Sequence, residues 1–370
     1  MTAHTRLDTT PLTDPVDRAQ VRAFTKELRQ QGKLSSNVIG IIVFAVVGVA
    51  FFFIIGPVFV GVISSVVSDS SLSLVAAAPL LVFAAVIVVI AVGLIRGVGG
   101  AGVRRFRLDR FARANGMTWE PGFAKPQLPG MIFSVGGDRK NSDLLRRTSP
   151  RFIEIANYTY ETGSGKSRQT HHWGYVALKL ETPLPHIVLD AVGNNGLFGS
   201  NLPVSFGRDQ RLSLEGDFDR HFALYCPEGY ERDALYLFTP DVMARFVDNA
   251  AALDVEIIDD WLFLYAKRDL STLDPATWQW LFTTIDAIDE KFAQWARWRD
   301  DRLAAEAAAS SASSGAAASG ASARSVPLLT PPPAGVAAQG RRLKRGFPVW
   351  TFVVVAAVAG WWILTSVFGR

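Results

Sequence analysis

Asp217, Asp219 and His221 are the side chains in this sequence whose types and spacing could perform chemistry together. Alternate residues of a strand lie on one face, so an extended chain would present two carboxylates and an imidazole to the same side. That set suits a hard or borderline metal ion, and it also suits acid/base work in an enzyme. However, Glu215–Gly216 is typical of a turn. We therefore predict a surface cluster with local hydrogen bonds, and keep metal binding as the alternative.

Gly163–Ser167 (Gly-Ser-Gly-Lys-Ser) resembles the end of a phosphate-binding loop. The position where that motif requires its first glycine is Tyr160, and the loop joins two predicted strands instead of leading into a helix. The segment is therefore predicted to be a hairpin tip. His171 and His172 are adjacent in the second of these strands, where neighbours face opposite sides and cannot easily share one ligand.

Other reactive groups lack the neighbours that catalysis needs. Cys226 precedes Pro227 without an obvious base, and no serine lies in a nucleophile elbow. Acidic and basic residues are mixed throughout the middle of the chain, unlike the basic, aromatic surface of a nucleic-acid-binding protein. We predict no catalytic residue, no cofactor and no nucleic-acid partner, and leave metal binding unknown.

Three long uncharged segments dominate the rest of the sequence: 38–67, 72–95 and 347–368. About 20 apolar residues in a helix span the hydrocarbon core of a bilayer. The sequence thus predicts three transmembrane helices, two N-terminal and one C-terminal, with residues 68–71 as an outer loop and the lipid bilayer as a partner.

The basic residues beside these segments predict the orientation. They stand before the first segment, after the second and before the third: Arg6, Arg18, Arg22, Lys26, Arg29, Lys33; Arg96, Arg104, Arg105, Arg107, Arg110, Arg113; Arg341, Arg342, Lys344, Arg345. We therefore predict a multi-pass protein of the cell membrane. Its tail 1–37, its main domain 97–303 and a flexible Ala/Ser/Pro linker 304–345 would be cytoplasmic.

The N-terminal tail contains a predicted basic amphipathic helix over residues 13–33, capped by Thr13 or Asp14. Its basic stripe fits an anionic lipid surface or the protein's own domain equally well. A second short helix is predicted over Val103–Asn115, ending at Gly116.

The main domain alternates β-favouring and helix-favouring segments. Ile153–Tyr160 and Trp173–Leu180 predict a hairpin around the loop Thr162–Gln169. Further predicted strands are His186–Asp190, Phe222–Tyr225, Leu235–Phe238, Val255–Ile258 and Trp261–Tyr265, the last two joined by a turn at Asp259–Asp260. The expected fold class is a cytoplasmic α+β domain with an antiparallel sheet, attached to three transmembrane helices.

Two prolines mark further helix starts. Thr239–Pro240 begins a helix that should run to about Ala252, and Asp274–Pro275 begins a long helix to about residue 300. The long helix carries an apolar seam of Trp278, Leu281, Ile285, Ile288, Phe292 and Trp295. The seam packs inside the domain or against another chain.

Two segments of the domain resemble known sequences: Leu214–Phe222, with Phe-Asp-x-x-Phe, and Leu235–Met243, with Thr-Pro-x-x-Met. They are similar to a family of uncharacterised bacterial membrane proteins of actinobacterial type. The likeness covers roughly residues 100–300. It implies a paired N-terminal span followed by a cytoplasmic α+β domain, and it brings no assigned activity.

These observations favour a non-enzymatic interaction or regulatory module at the inner face of the cell membrane. Antiparallel edges accept partner strands, so another membrane or cytoplasmic protein is the expected partner. The alternatives are a membrane-associated enzyme, metal-dependent or not, using Asp217, Asp219 and His221, and an accessory subunit of a transport or secretion complex.

Overall fold

The computed structural model describes residues 7–34, Gly61, 100–196, 199–214, 216–250, 252–288 and 340–345. The chain divides into two compact units. One is Thr10–Ala114, and the other combines Met1–Thr9 with Asn115–Arg370.

The smaller unit contains helix α1, Arg18–Gln30, and helix α2, residues 100–114. The first helix begins later than the sequence predicts because Asp17 supplies the cap, its carboxylate accepting from the Ala19 N–H at 2.9 Å. Phe24 of α1 and Phe106 of α2 pack edge to face with ring centroids 5.6 Å apart.

Three predictions are wrong for the part of the chain that the structure describes: the three transmembrane helices, the fold class built on them, and the multi-pass location in the cell membrane. None of the described helices is both long and apolar enough to cross a bilayer. Helix α1, for example, has 13 residues and carries several arginines; at this length it reaches about 20 Å against a core of about 30 Å. The predicted spans 38–67, 72–95 and 347–368 lie outside the described residues, apart from Gly61.

The larger unit is built on an antiparallel sheet of seven strands. They are β1 Thr118–Glu120, β2 Gly137–Arg147, β3 Ile153–Thr162, β4 Gln169–Ala191, β5 Arg211–Leu212, β6 Phe222–Tyr225 and β7 Asp254–Ala266. The order is β1-β2-β3-β4-β6-β5, and β7 also pairs with β4. Strand β4 is therefore the centre of the sheet, and the predicted β3–β4 hairpin is present.

Two long strands replace four short predicted ones. Strand β4 continues through Pro183 and Pro185, where its pairing with β7 becomes irregular because proline has no N–H to donate. Strand β7 continues through Asp259, where the sequence predicts a turn. Asp259 has a φ of +53° and lies opposite Leu184 at this irregularity. The same left-handed residue thus makes a bulge instead of a turn.

The described part of the larger unit also contains helices α3 Glu231–Leu237, α4 Pro240–Ala250 and α5 residues 275–288. Helix α4 begins at the predicted proline. The segment Leu235–Phe238 that we predicted as a strand instead forms the end and the C-cap of helix α3. So short an apolar run has no period that separates helix from strand.

The seam of α5 is buried inside this chain where the structure describes it. Trp278, Leu281, Ile285 and Ile288 are at most 3% exposed. The remaining seam residues, Phe292 and Trp295, lie outside the described residues. The described part of the seam therefore favours internal packing.

One face of the sheet carries an aromatic core covered by the 3-10 helix Met131–Ser134. The Phe133 ring packs edge to face on both Tyr158 and Tyr175, with ring centroids 4.9 and 5.0 Å away. Leu343, which follows Tyr175 by 168 residues in the chain, belongs to the same core. That contact leads to the candidate site.

Candidate functional site

Residues 340–345, which we call the C-terminal segment, lie against the sheet face. Leu343 is only 5% exposed and packs in the aromatic core. Arg345 forms an antiparallel bridge with Phe206, in the loop between β4 and β5. The segment thus behaves like a short extra strand held on top of the domain.

Buried His186 holds the backbone of the segment. The Leu343 N–H donates to His186 Nδ1 at 2.9 Å, and His186 Nε2 lies 3.1 Å from Glu256 Oε1. Because Nδ1 accepts this bond it carries no proton, so Nε2–H is the donor to the carboxylate. His186 is 6% exposed and Glu256 is fully buried.

Glu256 fixes the imidazole by its own bonds to the core. Its Oε2 accepts from the Met131 N–H at 2.7 Å and from the Tyr265 hydroxyl at 2.6 Å. Burial, followed by the charge of Glu256, raises the pKa of Tyr265 well above its usual value, so the phenol stays a donor. The carboxylate thus joins β4, β7 and the 3-10 helix, and orients His186 toward the segment.

Gln210 recognises the next residue through both ends of its amide. Gln210 Nε2 donates to the Lys344 carbonyl at 2.8 Å, and the Lys344 N–H donates to Gln210 Oε1 at 2.7 Å. A side-chain amide here replaces a neighbouring strand, since it satisfies the N–H and the C=O of one residue. Because both bonds are made to backbone groups of Lys344, they do not depend on the side chain at position 344.

A charge pair holds the other end of the segment. Both terminal nitrogens of Arg342 donate to Asp259, one to each carboxylate oxygen, at 2.9 and 3.0 Å. This two-point geometry is the strong form of an arginine–carboxylate pair. The hydrogen bond from Arg342 lowers the pKa of Asp259 below its usual value. The bulge in β7 therefore has a role, because it carries the carboxylate that binds the segment.

A cavity of about 430 Å³ adjoins the segment. Its lining combines polar groups with apolar loop residues: Asp190, Ser200, Leu202, Pro203, Val204, Ser205, Phe206, Tyr225 and Arg345. Asp190 is 5% exposed, and its Oδ1 has no hydrogen-bond partner among the described residues. Burial raises the pKa of Asp190, and bonds from Ser200 and Asn195 offset this only partly.

A second buried carboxyl, Asp254, lies on the neighbouring strand. It accepts from the Ala191 N–H at 2.8 Å and from Asn194 Nδ2 at 2.7 Å. Burial raises its pKa to about 7, with a further contribution from the charge of Asp190. Asp190 near the end of β4 and Asp254 at the start of β7 are thus two carboxyls that are costly to ionise.

The structure does not arrange Asp217, Asp219 and His221 as an alternating face. Asp217 precedes the 3-10 helix Phe218–Arg220, and His221 follows it. Asp219 accepts from the Ser213 hydroxyl and from the Leu214 N–H, so the local hydrogen bonds that we expected are present. No group of three or more candidate metal ligands occurs in the part of the chain that the structure describes.

The other sequence candidates also have local roles. Gly163–Ser167 forms the tip of the β3–β4 hairpin, with a short 3-10 helix. His171 stacks on Tyr160 at 4.7 Å and bonds with the Thr162 hydroxyl at 2.7 Å. Cys226 is buried, which raises the pKa of its thiol to about 11 and leaves it a weak nucleophile.

The residues that form the site were not singled out in the sequence. His186, Gln210, Asp190 and Glu256 are far apart in the chain, and only the fold brings them to one region. One signal was present: Leu343 is the single apolar residue in the basic run 341–345. We interpreted that run only as the basic flank of a span, although an isolated leucine there is also typical of an anchor residue.

Comparison with known proteins adds little to this geometry. No family model matches the chain, and no curated protein matches it. Among solved structures, the chain is similar to the crystal structure of the mycobacterial trehalose monomycolate transport factor A, TtfA. The identity is 12%, the TM-score is 0.35, and the match covers 51% of this chain and 92% of that chain. A likeness at this level assigns neither a fold nor a function here, and the resemblance of residues 100–300 to an uncharacterised bacterial family stays a prediction.

Proposed function

We propose that this protein is a non-enzymatic peptide-interaction module. Its segment groove, formed by His186, Gln210, Asp259 and Phe206, binds an extended basic peptide with a central leucine. The C-terminal segment occupies the groove in cis, and a partner with the same peptide chemistry takes its place. The observation that carries the proposal is the pair of bonds between the Gln210 amide and the backbone of Lys344.

In the groove, as in other peptide-binding sites, bonds to the peptide backbone provide affinity and contacts with its side chains provide specificity. Gln210 and His186 bind backbone groups, which any extended peptide provides. Specificity comes from the pocket that buries Leu343 and from the carboxylate of Asp259, which selects arginine. A partner is therefore expected to carry arginine directly before leucine.

An enzymatic role for His186 is less well supported. Both of its ring nitrogens are engaged, one by the Leu343 N–H and one by Glu256. A general base needs a nitrogen within reach of a substrate proton. In the occupied groove the imidazole instead works as a fixed hydrogen-bond acceptor.

Occupation in cis sets the threshold for a partner. The sequence predicts a flexible tether before the segment, and such tethers give effective concentrations on the order of 1 mM. To displace the segment, a partner must bind the groove more tightly than the segment does, or must be concentrated locally above the effective concentration of the segment. The groove is thus expected to respond to a clustered partner more than to a dilute one.

The experiment uses the full-length chain carrying Leu343→Asp, which removes the apolar anchor and releases the segment. A fluorescent peptide with the sequence of residues 340–345 should bind this variant at least about 10-fold more tightly than the wild type, since its own segment no longer competes. Adding Gln210→Ala should weaken the peptide by about 10-fold, from the loss of two backbone bonds.

A scrambled peptide of the same composition is the control for charge. Equal binding of the scrambled and native peptides would contradict the proposal, because charge alone would then explain the affinity. So would absence of binding to a Leu343→Asp chain whose circular dichroism and unfolding temperature match the wild type.

A further inference from the structure

We propose that the segment groove is a pH switch, which holds the C-terminal segment while His186 is neutral and releases it when acid protonates this histidine. The proton and the segment compete for one atom, His186 Nδ1. The inference rests on the proposed peptide function of the groove and adds the regulation of that site.

His186 Nδ1 binds the segment only while it carries no proton. The Leu343 N–H donates to it at 2.9 Å, and a backbone N–H can only donate. In an imidazolium both ring nitrogens are donors, so two N–H groups would point at each other across this distance. His186 is 6% exposed and Leu343 is 5% exposed, which leaves little access for water to separate the two groups. Protonation therefore costs the segment a bond and adds a repulsion.

Glu256 favours the proton once the segment has left. Its Oε1 lies 3.1 Å from His186 Nε2, and its Oε2 is held by the Met131 N–H and the Tyr265 hydroxyl. A carboxylate beside an imidazole stabilises the charged form of the ring. In the open groove the Nδ1–H can also donate to water, so the open groove binds a proton more readily than the closed one. By linkage, acid shifts the equilibrium toward the open groove.

The other charged groups around the histidine keep their state over the range in which an imidazole titrates, about pH 5 to 8. The segment supplies only arginines and one lysine, which stay protonated. On β7, the hydrogen bond from Arg342 lowers the pKa of Asp259 below its usual value of 3.8, so this carboxylate stays ionised. Burial raises the pKa of Tyr265 well above its usual value, so the phenol stays neutral. Among these groups, His186 is the one that changes charge.

Asp254 is a second group on β7 that titrates in the same range, because burial raises its pKa to about 7. Its described hydrogen bonds come from Ala191 and Asn194, which do not belong to the segment. The substitution His186→Asn separates the two groups. An asparagine oxygen accepts near the position of Nδ1 and takes up no proton in this range, while Asp254 is unchanged.

The experiment is amide hydrogen exchange at Leu343 and Lys344 in the full-length chain, at about pH 5 and about pH 8. Each rate is divided by the rate of an unstructured peptide at the same pH, which gives the protection. Protection should be at least about 10-fold lower at the acid pH, because one buried bond is lost. In His186→Asn the two values should agree within about 2-fold. His172→Asn, at an exposed histidine of β4, is the matched control and should keep the wild-type response.

The outcomes separate the switch from the groove function. Equally strong wild-type protection at both pH values, or a wild-type response in His186→Asn, would overturn the switch and leave the groove function standing. The wild-type comparison needs no substitution, so it decides the question even if His186→Asn does not fold.

The peptide of residues 340–345 gives a second readout on the Leu343→Asp chain. Its affinity should fall at least about 10-fold between about pH 8 and about pH 5, since it uses the same nitrogen. Absence of binding at the higher pH would reject the groove function, whereas the switch would still be decided by the protection of the wild-type segment. No protection of the wild-type segment at either pH would reject both.

Discussion

Replacing Asp254 by asparagine is expected to remove a pH dependence of stability that the wild type has below neutrality. Asp254 is fully buried, and its pKa rises from 3.8 to about 7, chiefly by burial. Between these values the folded protein holds a proton that the unfolded chain has released. Stability from this group is therefore complete below pH 3.8 and is lost as the pH rises through about 7.

The magnitude follows from the pKa difference. At about 1.4 kcal/mol per pKa unit, a rise from 3.8 to about 7 corresponds to about 4 kcal/mol. Asparagine also has a cost that does not depend on pH. Its amide nitrogen would face Asn194 Nδ2, and Asn194 cannot simply turn over because its Oδ1 accepts from the Lys267 N–H at 3.0 Å. One lost bond of this kind costs about 1–3 kcal/mol.

The assay is urea unfolding followed by tryptophan fluorescence at intervals from pH 4 to 7.5. The difference in free energy of unfolding, variant minus wild type, should start negative and rise by about 4 kcal/mol across this range. Asp286→Asn, at an exposed position of α5, is the matched control and should give a flat difference. A flat difference for Asp254→Asn, within about 1 kcal/mol, would refute the reasoning.

Three further expectations follow from single positions. Asp190→Asn should raise the free energy of unfolding at pH 7 by about 1 kcal/mol, because it replaces a buried carboxyl that has an unpartnered oxygen; a lower free energy of unfolding in urea titration would contradict this. Gly130→Ala should cost about 1–3 kcal/mol, because a Cβ there would lie 2.1 Å from the Tyr265 hydroxyl, whereas Gly137→Ala meets nothing within 4 Å and serves as control. Cys226 should resist a thiol reagent at pH 8 until urea unfolds the chain, since its pKa is about 11; rapid labelling of the native protein would contradict this.

Local sequence patterns correctly predicted those elements whose structure is determined by residues within the element itself. The β3–β4 hairpin and the start of α4 at Pro240 follow from β-formers around a glycine loop and from a proline in a first helical turn. Failures occurred where tertiary context overrides local preference. Trp173–Leu180 and His186–Asp190 were predicted as separate strands, yet β4 continues through Pro183 and Pro185 because it pairs with β7 on either side of them. Asp259 predicts a turn, yet the same backbone makes a bulge.

The candidate site was beyond sequence reasoning for a different reason. Glu256, His186 and Leu343 meet through contacts that span 70 and 157 residues. Nothing local marks a buried histidine as the acceptor for a remote backbone N–H. The Asp217–His221 cluster drew attention because its members are neighbours in sequence, and its hydrogen bonds proved equally local.

Amide hydrogen exchange at Leu343 and Lys344 tests the central claim most directly. In the folded full-length chain these two N–H groups bond His186 Nδ1 and Gln210 Oε1, and exchange read by fragmentation mass spectrometry should be slowed well below the rate of an unstructured peptide. Gln210→Ala should restore fast exchange at Lys344. Exchange at the unstructured rate at both positions in the wild type would mean that the segment does not occupy the groove.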